Sequence, residues 1–182
     1  ETYFKELADW NQRMSLTSVV EYEEVQVKHF LDSLTVVPAV GGISTECSLL
    51  DVGAGPGCPG VPLKLVYPGI KLALAEPVGK KAAFLEHLVE TLALEETQVL
   101  RGRAEALAHE SSFREGFDLV TARGLARMPV LLEYTLPFCK IGGQVAALKH
   151  GGANLETELA GAKLALDLLG GGISREYQVE VE

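Results

Sequence analysis

Hydrophobic positions change period part-way along this chain. Tyr3, Phe4, Leu7 and Trp10 recur at helical spacing, and Val27, Phe30, Leu31 and Leu34 repeat the i, i+3, i+4, i+7 stripe, so the chain is expected to open with helices. On the second helix His29, Asp32 and Ser33 share a polar face while Phe30 and Leu34 pack inward, and a histidine so placed is expected to be structural, hydrogen-bonded to the nearby acid. Pro38, Gly41 and Gly42 then break the helical pattern. From Leu49 onward short apolar runs alternate with amphipathic stretches. Strands are predicted at Leu49 to Val52, Ile70 to Ala75, Thr97 to Leu100, Phe117 to Ala122, Ile141 to Leu148 and Arg175 to Val181. Helices are predicted at Gly79 to Leu92, burying Phe84, Leu85, Leu88 and Leu92, and at Ala104 to Glu110, Met128 to Pro137 and Leu155 to Leu168.

This alternation implies an α/β fold, a mostly parallel sheet with helices on both faces, preceded by N-terminal helices. A length of 182 residues with 47% apolar content suits one well-cored domain with a small appendage. Residues 1–46 are read as a helical extension and 47–182 as a single compact unit.

Between the first strand and the next helix stands Asp51-Val52-Gly53-Ala54-Gly55-Pro56-Gly57-Cys58-Pro59-Gly60, with four glycines in eight positions from Gly53 to Gly60. Glycines let the backbone turn sharply and leave room for a ligand, and Pro59 and Pro62 suit a helix start whose first N–H groups have no partner in the helix. Dinucleotide enzymes and S-adenosylmethionine enzymes both bring a nucleoside to such a loop. The dinucleotide pattern G-x-G-x-x-G fails from Gly53, because Cys58 stands at the third position. It succeeds from Gly55, but two residues past the strand and with prolines among the donors a pyrophosphate would need. The G-x-G-x-G reading on Gly53, Gly55 and Gly57 fits better.

In open sheets of this kind ligands lie beyond the carboxyl ends of the strands, near the point where strand order reverses. That rule gathers the Gly loop, Glu76, Arg101 to Glu105, Arg123 and Lys149 on one rim. Glu76, 23 residues after Gly53, is placed to accept both hydroxyls of an adenosine ribose.

The net charge of −9 argues against indiscriminate nucleic-acid binding while leaving room for a local basic face at Arg123, Arg127 and Lys149. Cys47, Cys58 and Cys139 form no C-x-x-C pair and the four histidines lie far apart, so neither a disulfide framework nor a metal site is suggested. No uncharged apolar run reaches membrane-spanning length and no signal-peptide pattern opens the chain, so a cytoplasmic setting is expected.

With these residues placed, the chain resembles the bacterial small-subunit rRNA guanine-N7 methyltransferase family, also called the glucose-inhibited division protein B family. The resemblance covers nearly the whole chain. It rests on Trp10-Asn11 with Leu16-Thr17, His29-Phe30-Leu31-Asp32-Ser33-Leu34, the Leu50 to Gly60 loop, Gly79-Lys80-Lys81, Gly102-Arg103-Ala104-Glu105, Ala122-Arg123 and Ala147-Leu148-Lys149, in order and at suitable spacing. It implies a Rossmann-like fold that transfers methyl from S-adenosylmethionine to N7 of one guanine in 16S rRNA, with the small ribosomal subunit as partner and a monomeric enzyme expected. The family's cofactor contacts fall on Gly53, Cys58, Ala104, Glu105 and Arg123, and Glu76 matches its ribose acid. Arg123, Lys149 and His29 are the positioning candidates, and Arg123, Arg127 and Lys149 the expected RNA contacts. Cys58 replaces a larger apolar residue, where a thiol still packs as a small hydrophobe. His150 stands where the family commonly has glycine. The family sheet closes with one more strand after the one matched by Arg175 to Val181, so that strand is expected to be missing.

Guanine N7 carries an in-plane lone pair and no proton, so its methylation needs alignment but no general base. An exocyclic-amine enzyme would show Asn or Asp before Pro-Pro and an aromatic after strand four, where this chain reads Thr121-Ala122-Arg123-Gly124. A pyrimidine C5 enzyme needs a cysteine nucleophile at the rim, and Cys139 falls at the far end of strand five while Cys58 belongs to the loop. A small-molecule methyltransferase, a dinucleotide oxidoreductase and a non-catalytic RNA- or ribosome-binding module with the same fold are the alternatives.

Overall fold

The computed structural model describes residues 1–180. The sheet is built from β1 (Ser48–Val52), β2 (Lys71–Glu76), β3 (Thr97–Arg101), β4 (Phe117–Arg123) and β5 (Cys139–Leu148). Their order is β3-β2-β1-β4-β5 and every pairing is parallel. Strand order therefore reverses between β1 and β4. Leu49, Leu50, Asp51 and Val52 are all buried, as expected of a central strand covered on both faces.

Side-chain alternation along β1 sorts the core into two layers. Leu49 joins Val61, Leu63, Leu74, Phe84, Leu85 and Leu88 from α5 (Gly60–Val66), β2 and α6 (Gly79–Thr91). Leu50 and Val52 join Leu100, Val120, Phe138 and Leu107, the last from the short α7 (Ala104–Leu107). Beyond that second layer lie α8 (Met128–Thr135), its 3-10 continuation Leu136–Phe138, and α9 (Ala153–Leu169), which packs against α8. Among the described residues no helix is long and apolar enough to cross a membrane.

The N-terminal segment contains α1 (Thr2–Arg13), then α2 (Tyr22–Val25), a π-helical turn (Gln26–Leu31), α3 (Asp32–Leu34) and α4 (Val36–Ala39). Its buried Tyr3, Leu7, Leu16, Val25 and Val36 belong to the same cluster as Leu49 and Phe84. Pro38 does not break the helix as expected. It sits inside the short α4, and the stop comes at Gly41 and Gly42, both with positive φ. Leu31, read as part of the inward stripe, is half exposed, because the π-helical turn shifts the register of the face that packs.

Strand edges agree with the sequence pattern to within a couple of residues, with one exception. The strand expected from Arg175 is not formed: residues 171–180 have no regular structure, and Val181 lies outside the described residues. A strand exists only through a hydrogen-bonding neighbour, and the sheet ends at β5 with no strand beyond it among the described residues.

Candidate active site

Parallel pairing puts all five carboxyl ends on one edge. Val52 is level with Ala75, Glu76 with Arg101, and Arg123 with Leu148, so the Gly loop, Glu76, Arg123 and the residues after β3 and β5 share a rim. The crevice lies where β1 and β4 diverge.

The loop after β1 is tied down from three sides. Glu76, 4% exposed, accepts the Gly55 N–H at 2.9 Å on Oε2 and the Val78 N–H at 2.9 Å on Oε1. A carboxylate has about four acceptor positions, so roughly two remain for ribose hydroxyls. Asp51, fully buried, accepts the Gly60 N–H on Oδ2 at 2.9 Å and the Thr121 hydroxyl on Oδ1 at 3.0 Å, joining the start of α5 to β4. From α1, Tyr3 donates its hydroxyl to the Pro56 carbonyl at 2.6 Å.

Two loop glycines explain themselves by what surrounds them. Gly55 has φ +54°, and a Cβ there would meet nothing nearer than the Gly53 carbonyl at 3.7 Å, so the backbone leaves open space that a ligand can use. Gly57, with φ +94°, is needed for a different reason, since a Cβ would lie 2.7 Å from the Tyr3 hydroxyl. Its neighbour Cys58 is also turned inward, buried with Sγ 3.5 Å from the Tyr3 oxygen. Above Gly53, Leu125 of the loop after β4 comes within 2.7 Å of where a Cβ would stand.

Burial pushes the Asp51 carboxyl from its ordinary 3.8 up to about 6, against the lowering effects of the Gly60 N–H, the Thr121 hydroxyl and Arg123. Because the folded value lies above the unfolded one, the stability this group contributes is full below about pH 4. It is lost as pH rises through about 6, by on the order of 3 kcal/mol. Asparagine can accept from Gly60 and donate to Thr121, so Asp51→Asn should gain on the wild type between those pH values. Urea denaturation across the range measures it, and parallel curves for the two proteins would rule the assignment out.

Arg123, at the end of β4, points under the N-terminal helices. Nη1 donates to Asp32 Oδ2 at 2.9 Å and to the Lys28 carbonyl at 3.0 Å, and Nη2 lies 3.3 Å from His29 Nδ1. Nδ1 also lies 3.1 Å from the Lys28 carbonyl, a pure acceptor, so it either donates there or accepts from Arg123, and Nε2 shares a hydrogen bond of 2.8 Å with the Thr17 hydroxyl in the complementary role. Burial pushes this imidazole below its ordinary range; the Lys28 carbonyl opposes that and Arg123 adds to it. His29 is thus structural, but its partners are Thr17 and Arg123 rather than Asp32. The supposed polar face is an interior one, with Ser33 fully buried and donating to the His29 carbonyl.

The expected RNA cations are not all open. Arg123 is paired with Asp32, and Lys149 is paired with Glu158 at 2.6 Å and donates to the Ala126 carbonyl at 2.9 Å. Glu158 also accepts the Met128 N–H, so Lys149 fixes α9 against the start of α8. Arg127 is exposed, as are Lys80 and Arg103 at neighbouring strand ends. Ala104 and Glu105 open α7 directly after β3, beside Glu76 through the Glu76 and Arg101 register. Two cavities lie elsewhere. One of about 480 Å³ sits at the amino ends of β1, β4 and β5, where Lys140 and Asp118 neutralise each other, and one of about 250 Å³ lies behind α1. Neither touches the rim.

Sequence patterning missed Tyr3, Asp32, Thr17 and Asp51 as parts of this site. Tyr3 counted only as an apolar position on a stripe, Asp32 and Asp51 act through partners far away in sequence, and Thr17 reaches His29 across a break between helices that no period records.

The fold is shared with a solved S-adenosylmethionine-dependent methyltransferase and with a protein solved with S-adenosylmethionine bound. An S-adenosylmethionine-dependent methyltransferase from Aquifex aeolicus superimposes with a TM-score of 0.57 at 15% identity over 90% of this chain and 87% of that one. A mutant of MtNAS in complex with S-adenosylmethionine gives 0.58 at 18% identity over 84% and 60%. That likeness gives a Rossmann-like fold, and the family match gives the class: an S-adenosylmethionine-dependent methyltransferase. Within that class the family model for rRNA small subunit methyltransferase G matches residues 1–173, and the chain belongs to that family. Proteins named ribosomal RNA small subunit methyltransferase G from Dehalococcoides mccartyi and Lactococcus lactis subsp. cremoris are 45% and 42% identical, each alignment covering 100% of this chain and 75% of the relative.

Proposed function

We propose that the chain methylates N7 of one guanine in the 16S rRNA of the small ribosomal subunit. The supporting observation is the chemistry at the end of β4, where Arg123 meets a histidine with both ring nitrogens engaged. Arg123 stays protonated and both ring nitrogens of His29 are held by protein partners, so neither is set to take a proton from a substrate. Such a site suits an acceptor that has no proton to lose.

Glu76 would hold the ribose of S-adenosylmethionine, the Gly53 to Gly57 turn would leave space for it, and Ala104 and Glu105 would border the adenine side. Cys58 would contribute through its backbone, since its thiol is buried. When bound, the cofactor supplies a methyl group on a sulfonium, already activated for displacement. The protein's share is alignment and exclusion of water.

Labelled S-adenosylmethionine offered with small subunits and with naked 16S rRNA, both from cells lacking the modification, tests this reading. Label recovered as 7-methylguanine is expected, and label on another base or atom would refute it. Salt provides a second check. If Lys80, Arg103 and Arg127 meet phosphates, the logarithm of RNA affinity should fall against the logarithm of salt with a slope of roughly −2, while cofactor affinity stays nearly constant. A flat response would favour a small-molecule acceptor.

A further inference from the structure

A guanidinium carries five N–H donors in one plane. Both donors on Nη1 of Arg123 are taken by acceptors of the N-terminal helices, the Asp32 carboxylate and the Lys28 carbonyl, and Nη2 is seated 3.3 Å from His29 Nδ1. The Nε–H and the second Nη2–H have no protein partner among the described residues. The holder is itself braced. Asn11 Oδ1 accepts the Leu16 and Thr17 N–H groups, its Nδ2 donates to the Thr17 carbonyl, and the Thr17 hydroxyl is hydrogen-bonded to His29 Nε2. Lys28 and His29 lie within the π-helical turn, a feature that clusters at functional sites. Arg123 and Asp32 keep only 19% and 32% of their side-chain surface, so water competes weakly for the pair.

An ion pair that merely fastened the N-terminal helices would need one carboxylate. Here two acceptors on Nη1 and the ring edge of His29 beside Nη2 fix the plane of the guanidinium, which a single contact cannot do. We propose that Asp32, with the Lys28 carbonyl and His29, is the positioning set for Arg123, leaving its two unpaired donors for the reacting partners at the end of β4. This rests on the reading of the rim as the active site.

The test uses single-turnover methylation of unmodified small subunits at saturating S-adenosylmethionine, with Arg123→Ala, Asp32→Ala, Asp32→Asn and the double alanine variant. Asp32→Ala should slow the step by about 10- to 100-fold with the cofactor KM little changed, and because it leaves a largely buried guanidinium without its carboxylate it should also lower the melting temperature, so rates are taken per folded protein. Asp32→Asn, which keeps an acceptor for Nη1, should recover much of the rate. The double variant should be no slower than Arg123→Ala. Arg123→Ala working at the wild-type rate would overturn the reading of the rim. A slow Arg123→Ala beside a full-rate Asp32→Ala would overturn only the positioning proposal. So would rate losses in both Asp32 variants that track loss of folded protein.

Discussion

Glutamine at position 76 should weaken S-adenosylmethionine binding by about 10- to 100-fold, the worth of charge-assisted hydrogen bonds to a ligand. Lysine there should abolish binding. Glu76 holds two backbone N–H groups, one at Gly55 and one at Val78, and is almost fully buried. Glutamine keeps one carbonyl oxygen, but its amide nitrogen must then face one of those two donors, so the loop loses an anchor while the ribose loses its anionic acceptor. Lysine removes both acceptors and buries an ammonium against them, a change that costs on the order of 3–5 kcal/mol of stability. The two backbone donors held by Glu76 make glutamine the cleaner probe. Gly55→Val is a companion with a different mechanism. It fills the open space above the loop and forces a β-branched residue to φ +54°. Calorimetric titration reads both variants, and wild-type affinity in Glu76→Gln would remove Glu76 from the binding site.

What could be read in advance divides along a physical line. The sheet was legible because buried parallel strands are apolar almost throughout: Leu72 to Ala75 and Leu119 to Ala122 announce themselves without any knowledge of their neighbours. Given parallel strands, the rim follows from topology, and Glu76 and Arg123 fall on it. The partners of those residues were not legible. Arg123 and Asp32 lie 91 positions apart, Ser48 and Asp118 70 apart, and no local period records such a pairing. The same holds for Lys149, whose basic charge reads as an RNA contact until Glu158 is found beside it. His29 illustrates a subtler failure. Helical spacing correctly groups it with Asp32 and Ser33, but spacing does not say which way the face points, and the face turned inward carries the polar residues. The expected last strand failed because a strand depends on a neighbour that its own sequence does not specify.

RNA carrying 7-deazaguanine at the target should accept no methyl group. If the N7 lone pair itself displaces the methyl, replacing that nitrogen by carbon removes the nucleophile while leaving the Watson–Crick edge and the sugar unchanged. No side chain has to accept a proton in such a displacement, so the protein contributes only alignment. Arg123 fits that division of labour, since a guanidinium positions by hydrogen bonding and cannot serve as a base. Arg123→Lys should therefore slow turnover without giving a rate that rises with hydroxide, as loss of a true base would. One pH dependence should remain in the wild type, on the acid side. Protonating His29 would place an N–H against the Arg123 guanidinium, and because burial holds the imidazole below its ordinary range, activity should persist down to below about pH 6.5 before it falls. Undiminished transfer to the deaza substrate would mean that another atom is methylated. If that atom carried a proton, the rim would have to contain a proton acceptor, and His29 Nδ1, already engaged with Arg123 and the Lys28 carbonyl, is not placed to be one.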